Sequence, residues 1–130
     1  MNRIILIILV GLFSQLAGSQ NALSEKYNLM PWPQEIIENK NKVIVDENFT
    51  ISLSKKESRI YEYATNFIRR VTNRTGVFIN EGFPLVKKEK ATVKITFKNV
   101  SALNSDTDES YIIHVNKSQI EIVANTDIGA

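Results

Sequence analysis

Few side chains in this sequence have the chemistry of a catalytic or metal-binding group, and they do not form a familiar pattern. His114 is the only histidine and there is no cysteine, so a zinc site would need carboxylates as its other ligands. The acidic run DTDE at 106–109 lacks the glycine and the terminal glutamate of a calcium-binding loop. We therefore interpret His114 as a sheet residue and the acidic run as a loop, and we predict no catalytic residue, no metal ligand and no cofactor.

Other candidate chemistries are equally weak. No serine lies in a nucleophile elbow, and no glycine-rich phosphate loop is present. The paired carboxylates of glycosidases lie on rigid strand ends in a cleft, whereas nearly every Asp and Glu here falls in a predicted turn or on a helix surface. Arg69, Arg70 and Arg74 could bind an anion, but cations near a helix C-terminus commonly serve only the helix dipole.

Composition bounds the class of protein. The chain has 130 residues, 43% of them hydrophobic, which is enough for one core of ordinary size. Its net charge is +2 with acidic and basic residues interleaved, so we predict no nucleic-acid partner. The absence of cysteine indicates a domain that relies on its core and not on disulfides.

The first residues are typical of a targeting segment. Arg3 is followed by the apolar run 4–13, which is too short to span a bilayer and suits a signal peptide over 1–19. Ser19 stands where a lipoprotein would need its lipidated cysteine, so secretion is favoured over lipid anchoring, with an uncleaved membrane anchor as the alternative. We expect a secreted or periplasmic protein that has no membrane partner after signal cleavage.

A polar linker over 20–28, predicted to be mobile, leads into the segment LMPWPQEI at 29–36. Each proline disfavours the helical region for the residue before it, so this segment is predicted to be extended. Trp32 lies between two prolines. We interpret it as an aromatic residue that packs the segment onto the core, with a sugar-stacking platform as the alternative.

Periodicity predicts the remaining elements. Ser54 and Glu57 form a capping box, so a helix is predicted over about 55–75, with Gly76 as its C-terminal cap. Its apolar face comprises Ile60, Ala64, Phe67, Ile68 and Val71. Period-two alternation predicts short strands at 42–45, 49–53 and 77–79, a longer strand at 91–100, and a hairpin formed by 111–115 and 120–124.

These elements predict an α+β fold, a mostly antiparallel sheet with one long helix packed on one face. The small domain is expected to span 29–125. Polar residues at 125–127 are typical of a helix N-terminus, so 126–130 is predicted to begin a helix that leads into a further domain.

Two segments resemble a known family. They are the opening LMPWPQEI (29–36) and the hairpin DESYIIHV (108–115) with IEIVANTDIGA (120–130). Together they are similar to the N-terminal non-catalytic domain of glycoside hydrolase family 20, the β-N-acetylhexosaminidases. The resemblance covers about residues 29–130. Ile113 replaces the usual leucine and Ser110 the common glycine. A similar small domain precedes other barrel hydrolases, including family 84, so a family 84 parent stays open.

The resemblance implies a secreted enzyme that removes terminal N-acetylglucosamine or N-acetylgalactosamine by substrate-assisted retaining catalysis. Its catalytic Asp-Glu pair belongs to a TIM barrel that this chain lacks, so no catalytic residue is carried over. The barrel of the same polypeptide is the implied partner, and glycan is bound through that barrel. We expect an apolar, exposed surface on the terminal hairpin where the barrel would meet this domain.

Two alternatives stay open. One is a freestanding secreted carbohydrate- or protein-binding module with Trp32, Phe83 and Tyr111 as contacts. The other is a small domain of the protease-inhibitor kind, which also packs one helix on a sheet but carries disulfides or an inhibitory loop that this sequence lacks. The gene sequence that follows Ala130 discriminates the first alternative from the enzyme.

Overall fold

The computed structural model describes residues 26–27, 29–30 and 32–130. The predicted signal peptide (1–19) lies outside the described residues, as does the predicted linker apart from its residues 26 and 27. The chain divides into two compact units, residues 1–38 and 39–130. Among the described residues, no helix is both long and apolar enough to cross a membrane.

The described part of the first unit is organised around one carboxylate. Tyr27 donates its hydroxyl hydrogen to Glu38 Oε1 at 2.7 Å, and the Lys26 ammonium pairs with the same oxygen. Residues 32–38 have no helix or strand, in agreement with the proline-rich sequence. Trp32 is 41% exposed, and its packing onto a core stays a prediction.

The second unit contains one helix and a five-stranded sheet. The strands are β1 (Ile51–Leu53), β2 (Leu85–Val86), β3 (Val93–Asn99), β4 (Tyr111–Val115) and β5 (Ile120–Thr126), and the helix α1 is Ser58–Thr75. The order in the sheet is β2-β1-β3-β5-β4. The predicted α+β class is confirmed.

Strand directions correct one part of the prediction. The pairs β1–β2, β1–β3 and β3–β5 are parallel, and only β4–β5 is antiparallel, so the sheet is mixed where we predicted a mostly antiparallel one. The connection from β1 through α1 to its neighbour β2 is a β-α-β crossover, the kind of connection that a parallel pair needs. Alternating apolar residues report a half-buried strand but carry no information on its direction.

The core lies between α1 and the strands β1 and β3. Ile60, Ala64 and Ile68 supply the helix side. The sheet side and its flanks comprise Phe49, Ile51, Leu53, Ile79, Val93, Ile95 and Phe97. The strand predicted at 91–100 is thus confirmed, and its alternate residues Val93, Ile95 and Phe97 point into the core.

The helix begins later than the predicted residue 55. Ser54 donates its N–H to the Ile95 carbonyl at 2.9 Å, so it extends β1 and is not an N-cap. Glu57 is the N-cap instead, and its carboxylate accepts the Ile60 N–H at 3.1 Å. The end of the helix agrees with the prediction, because Gly76 adopts the left-handed conformation with φ 71°.

Three smaller elements differ from the prediction. Residues 42–45 and 77–79 are not strands, and the two-residue strand β2 was not predicted. Segment 127–129 forms a turn after β5, with the Gly129 N–H donated to the Thr126 hydroxyl oxygen at 3.1 Å. An N-cap residue makes this bond, but no helix follows within the described residues, so the helix start at 126–130 stays a prediction.

Candidate interface

The residues singled out for chemistry are dispersed over the surface. His114 is exposed on β4 and lies beside Glu121 of β5. Arg69, Arg70 and Arg74 are exposed on α1. In the described part of the chain, no group of three His, Cys, Asp or Glu side chains is placed to hold a metal ion.

The aromatic residues of the binding-module alternative do not form one platform. Tyr111 opens β4, and Phe83 lies two residues before β2. These strands are the two opposite edges of the sheet. Four strand spacings separate them, roughly 19 Å in a sheet. Phe83 and Tyr111 therefore cannot stack on the same sugar ring.

A different surface emerges from the strand register of the terminal hairpin. Directly paired residues point to the same face of a sheet. Ile113 pairs with Ile122, and Ile122 pairs with Ile95, which lies in the core under the helix. The side chains of β4 on that same face are Tyr111, Ile113 and Val115. This face of the hairpin is therefore the face on which α1 packs.

One side of α1 borders that surface. Arg59, Tyr63 and Phe67 follow at spacings of four and share one side of the helix. Arg59 contacts Asp127, which directly follows β5, so this side of the helix is turned toward β5 and β4. Phe67 was predicted to point into the core, but it is 47% exposed, because it lies on this flank of the helix.

We call the resulting surface the hairpin face: Tyr63 and Phe67 of the helix, with Tyr111, Ile113, Ile120 and Ile122 of the hairpin. The first four side chains are 67%, 47%, 52% and 51% exposed, respectively. The two isoleucines of β5 are partly buried against the core. An α-helix is about 10 Å wide and strands are about 4.8 Å apart, so one helix covers about two strands. Because α1 covers β1 and β3, an apolar strip about one helix wide remains over β5 and β4.

A partly buried ion pair fixes the chain where it leaves β5 beside this surface. The Asp127 side chain is fully buried and accepts the Arg59 Nη1–H at 2.5 Å through Oδ2. Its other oxygen accepts the Ser101 N–H at 2.7 Å. Arg59 also donates to the Ser101 carbonyl at 3.3 Å. These bonds join the start of α1, the loop after β3 and the end of β5.

A second set of bonds joins the two halves of the hairpin motif. Asn125 donates to the Asp108 carboxylate at 2.8 Å, and the Thr126 hydroxyl donates to the Asp108 carbonyl at 2.5 Å. Hydrogen bonds from the Ser110 hydroxyl, the Asn125 amide and the Ser110 N–H lower the pKa of Asp108 to about 2. The acidic run predicted as a loop thus contains the carboxylate that holds the motif together.

Gly129 also packs against the segment that leads into β4. A Cβ added there would lie 2.8 Å from the Ser110 carbonyl oxygen and 3.0 Å from the Glu109 carbonyl carbon. The backbone of 129 packs directly on the backbone that leads into β4, and only glycine leaves room for it. Gly129 lies in the segment IEIVANTDIGA that resembles family 20, but no local pattern in the sequence indicates its contact with 109–110.

Sequence reasoning also missed the Arg59–Asp127 pair. We interpreted Asp127 as a polar residue of a helix start and did not single out Arg59. The two are 68 positions apart, and no local pattern links residues at that separation. Only the topology, which places the start of α1 at the carboxyl end of β5, brings them together.

The second unit is thus an α+β domain that exposes an apolar surface, the hairpin face. No protein-family model matches the sequence, and no curated protein matches it. A solved structure does match: the X-ray structure of a chitobiase from Flavobacterium johnsoniae, designated FjGH20. It superposes with a TM-score of 0.75 and is 35% identical over 82% of this chain.

This chain spans 17% of the length of that chitobiase. The match confirms the resemblance to a non-catalytic domain of glycoside hydrolase family 20. Over most of this chain, the two proteins share both the fold and 35% of their residues. The similarity therefore extends beyond a common architecture.

Proposed function

We propose that this chain is the supporting N-terminal domain of a secreted exo-β-N-acetylhexosaminidase. The observation that carries the proposal is the match, at 35% identity, to a region that forms 17% of a family 20 chitobiase. The parent enzyme removes terminal N-acetylglucosamine or N-acetylgalactosamine from glycans or chitooligosaccharides. The present chain binds the rest of the polypeptide and is not itself catalytic.

The hairpin face supports this role. Isolated soluble domains rarely expose a contiguous apolar strip of this kind. Such a strip therefore indicates a surface that binds another domain or protein. The strip is one helix wide, and Thr126 already makes the hydrogen bond of an N-cap residue. We propose that the helix beginning at 126–130 packs on part of this face and that the catalytic barrel contacts what remains.

In this scheme the chain acts by position and not by chemistry. A substrate-assisted hexosaminidase uses the 2-acetamido oxygen of the substrate as nucleophile, and an Asp-Glu pair orients it and transfers the proton. That pair belongs to the barrel. The Arg59–Asp127 pair instead fixes the direction in which the polypeptide leaves β5, so it determines where the next segment starts relative to the sheet.

Export is the second part of the proposal. The segment 1–19 is proposed to direct the enzyme out of the cytoplasm and to be removed after Ser19, which suits an enzyme whose glycan substrates lie outside the cell. Mass spectrometry of the mature N-terminus tests this directly. A first residue of Gln20 is expected, whereas a retained Met1 would contradict cleavage.

A hydrolysis assay tests the enzyme proposal. Residues 20–130 and the polypeptide extended through the downstream reading frame are each incubated with a chromogenic N-acetylglucosaminide. We expect turnover by the extended polypeptide alone. If neither polypeptide hydrolyses the substrate, the enzyme proposal fails and a freestanding binding module becomes the better explanation.

A matched pair of variants tests the role of the hairpin face. Ile112 and Ile113 are neighbours in β4 with 58% and 51% exposure, but they point to opposite faces of the sheet. In the extended polypeptide, Ile113→Lys is expected to lower the yield of folded, active enzyme because it places a charge in a covered interface. Ile112→Lys is expected to leave yield and activity unchanged. Equal behaviour of the two variants would refute the assigned interface.

A further inference from the structure

The face of the sheet opposite α1 carries an open cavity, away from the hairpin face. Ser52 pairs with Lys94, and Thr96 lies two residues further along β3 on the same face. With Ser54, Lys87 and Lys88 they line an open cavity of about 310 Å³, a volume at the lower end of small-molecule sites. We call it the lysine cavity.

Charge and hydrogen-bond donors favour an anion in this cavity. Three lysines and one carboxylate, that of Glu89, line the cavity. The Glu89 carboxylate oxygen lies 3.4 Å from the Lys94 ammonium nitrogen. In the described part of the chain, no carboxylate is within 4 Å of the Lys87 or Lys88 ammonium. The buried Ser52 oxygen accepts the Lys88 N–H at 2.9 Å, which leaves its own hydroxyl hydrogen to donate.

The backbone beside the cavity is strained. Lys87 has φ 56° and is the only non-glycine residue of the described chain with positive φ. A lysine in the left-handed region is uncommon, and such strain persists where surrounding bonds impose it, often at ligand sites. Here the Lys87 N–H is donated to the Leu53 carbonyl at 2.9 Å. The turn thereby places two consecutive lysines at the end of β1.

We propose that the lysine cavity binds a tetrahedral oxyanion, a sulfate or phosphate group, either as the free ion or as an ester on a sugar. Ammonium and hydroxyl groups donate charge-assisted hydrogen bonds to such oxygens. This site is separate from the hairpin face and does not depend on the enzyme proposal, since it uses only residues of this chain.

Calorimetric titration of the full-length polypeptide tests the site at constant ionic strength, with chloride as the balancing anion. The probes are inorganic sulfate, inorganic phosphate, N-acetylglucosamine 6-sulfate and neutral N-acetylglucosamine. We expect saturable binding of the anionic probes and about tenfold weaker binding in the Lys87→Gln/Lys88→Gln variant. Lys117→Gln, which removes an exposed lysine from the hairpin turn, is the matched control and should bind as the unmodified protein does.

The comparison of probes identifies the source of the anion. Tighter binding of the sulfated sugar than of inorganic sulfate indicates an ester on a glycan, and equal binding indicates the free ion. Lys87→Gly adds a second readout, because glycine relieves the strain while removing the ammonium: we expect a higher melting temperature together with weaker anion binding. No saturable binding to the unmodified protein, or undiminished binding to the double lysine variant, would overturn the proposal.

Discussion

Strands β3 and β4 both place apolar residues at alternate positions on the α1 side of the sheet, yet the environments of these residues are opposite. Val93, Ile95 and Phe97 of β3 are buried beneath α1, whereas Tyr111 and Ile113 of β4 lie half-exposed on the same side of the sheet. The difference follows from width, because one helix covers about two strands. Tyr111 and Ile113 of β4 therefore lie outside the core of this chain.

The largest expected effect separates these two strands directly. Ile95→Ala removes a buried side chain and should lower the free energy of unfolding by about 2–5 kcal/mol. Ile113→Ala removes the same atoms from an exposed site and should lower it by less than about 1 kcal/mol in the 130-residue chain. Urea unfolding followed by circular dichroism measures both. A loss at Ile113 as large as that at Ile95 would show that β4 belongs to the core.

The same pair of strands shows what sequence can and cannot predict. Alternation in β3, β4 and β5 correctly predicts strands and the terminal hairpin, because side chains point to alternate faces of a sheet. It cannot predict burial, which depends on where α1 lies. It also cannot predict that β5 inserts between β3 and β4, because strand order is set by contacts between distant residues.

The second prediction concerns the ion pair at the edge of the hairpin face. Asp127→Asn leaves Arg59 without its carboxylate in a buried setting and should destabilise the chain by about 2 kcal/mol, less than a fully buried pair because the Arg59 side chain is 38% exposed. The matched control is Glu89→Gln, which breaks an exposed pair of 3.4 Å and should change stability by less than about 0.5 kcal/mol. Thermal unfolding of the three proteins provides the measurement.

Only part of the hairpin face could be predicted from the sequence. An exposed apolar surface on the hairpin was predicted from the family resemblance, and the structure places Tyr111 and Ile113 there. The contribution of α1 to that surface was not predicted. Helical spacing alone assigned Phe67 to the buried face, because the width of the buried face depends on which strands the helix covers.

The third prediction tests the close contact at Gly129. Gly129→Ala would place a Cβ 2.8 Å from the Ser110 carbonyl oxygen, so backbone must move, and the expected loss is about 1–2 kcal/mol. Gly82→Ala is the control, since a Cβ there meets nothing within 4 Å, and it should be neutral within about 0.5 kcal/mol. Equal melting temperatures for the two variants would mean that the turn after β5 shifts freely.

The smallest expected effect is on the titration of Asp108, which joins the start of β4 to the end of β5. Its pKa is about 2, lowered first by the Ser110 hydroxyl and then by the Asn125 amide. A carboxyl whose pKa is lower in the folded chain stabilises it above the unfolded value of 3.8, and that contribution is lost as the pH falls through about 2. Carboxyl NMR titration should show Asp108 still ionised at pH 3.

Variants of its two partners sharpen this test of the hairpin. Both Ser110→Ala and Asn125→Ala should raise the pKa of Asp108 toward 3.8, with the larger rise for Ser110→Ala because the Ser110 hydroxyl is the larger cause. Lys117→Gln, in the turn at the far end of the hairpin, should leave it unchanged. An Asp108 pKa near 3.8 in the unmodified chain would mean that the Asp108 carboxylate does not join the start of β4 to the end of β5 in solution.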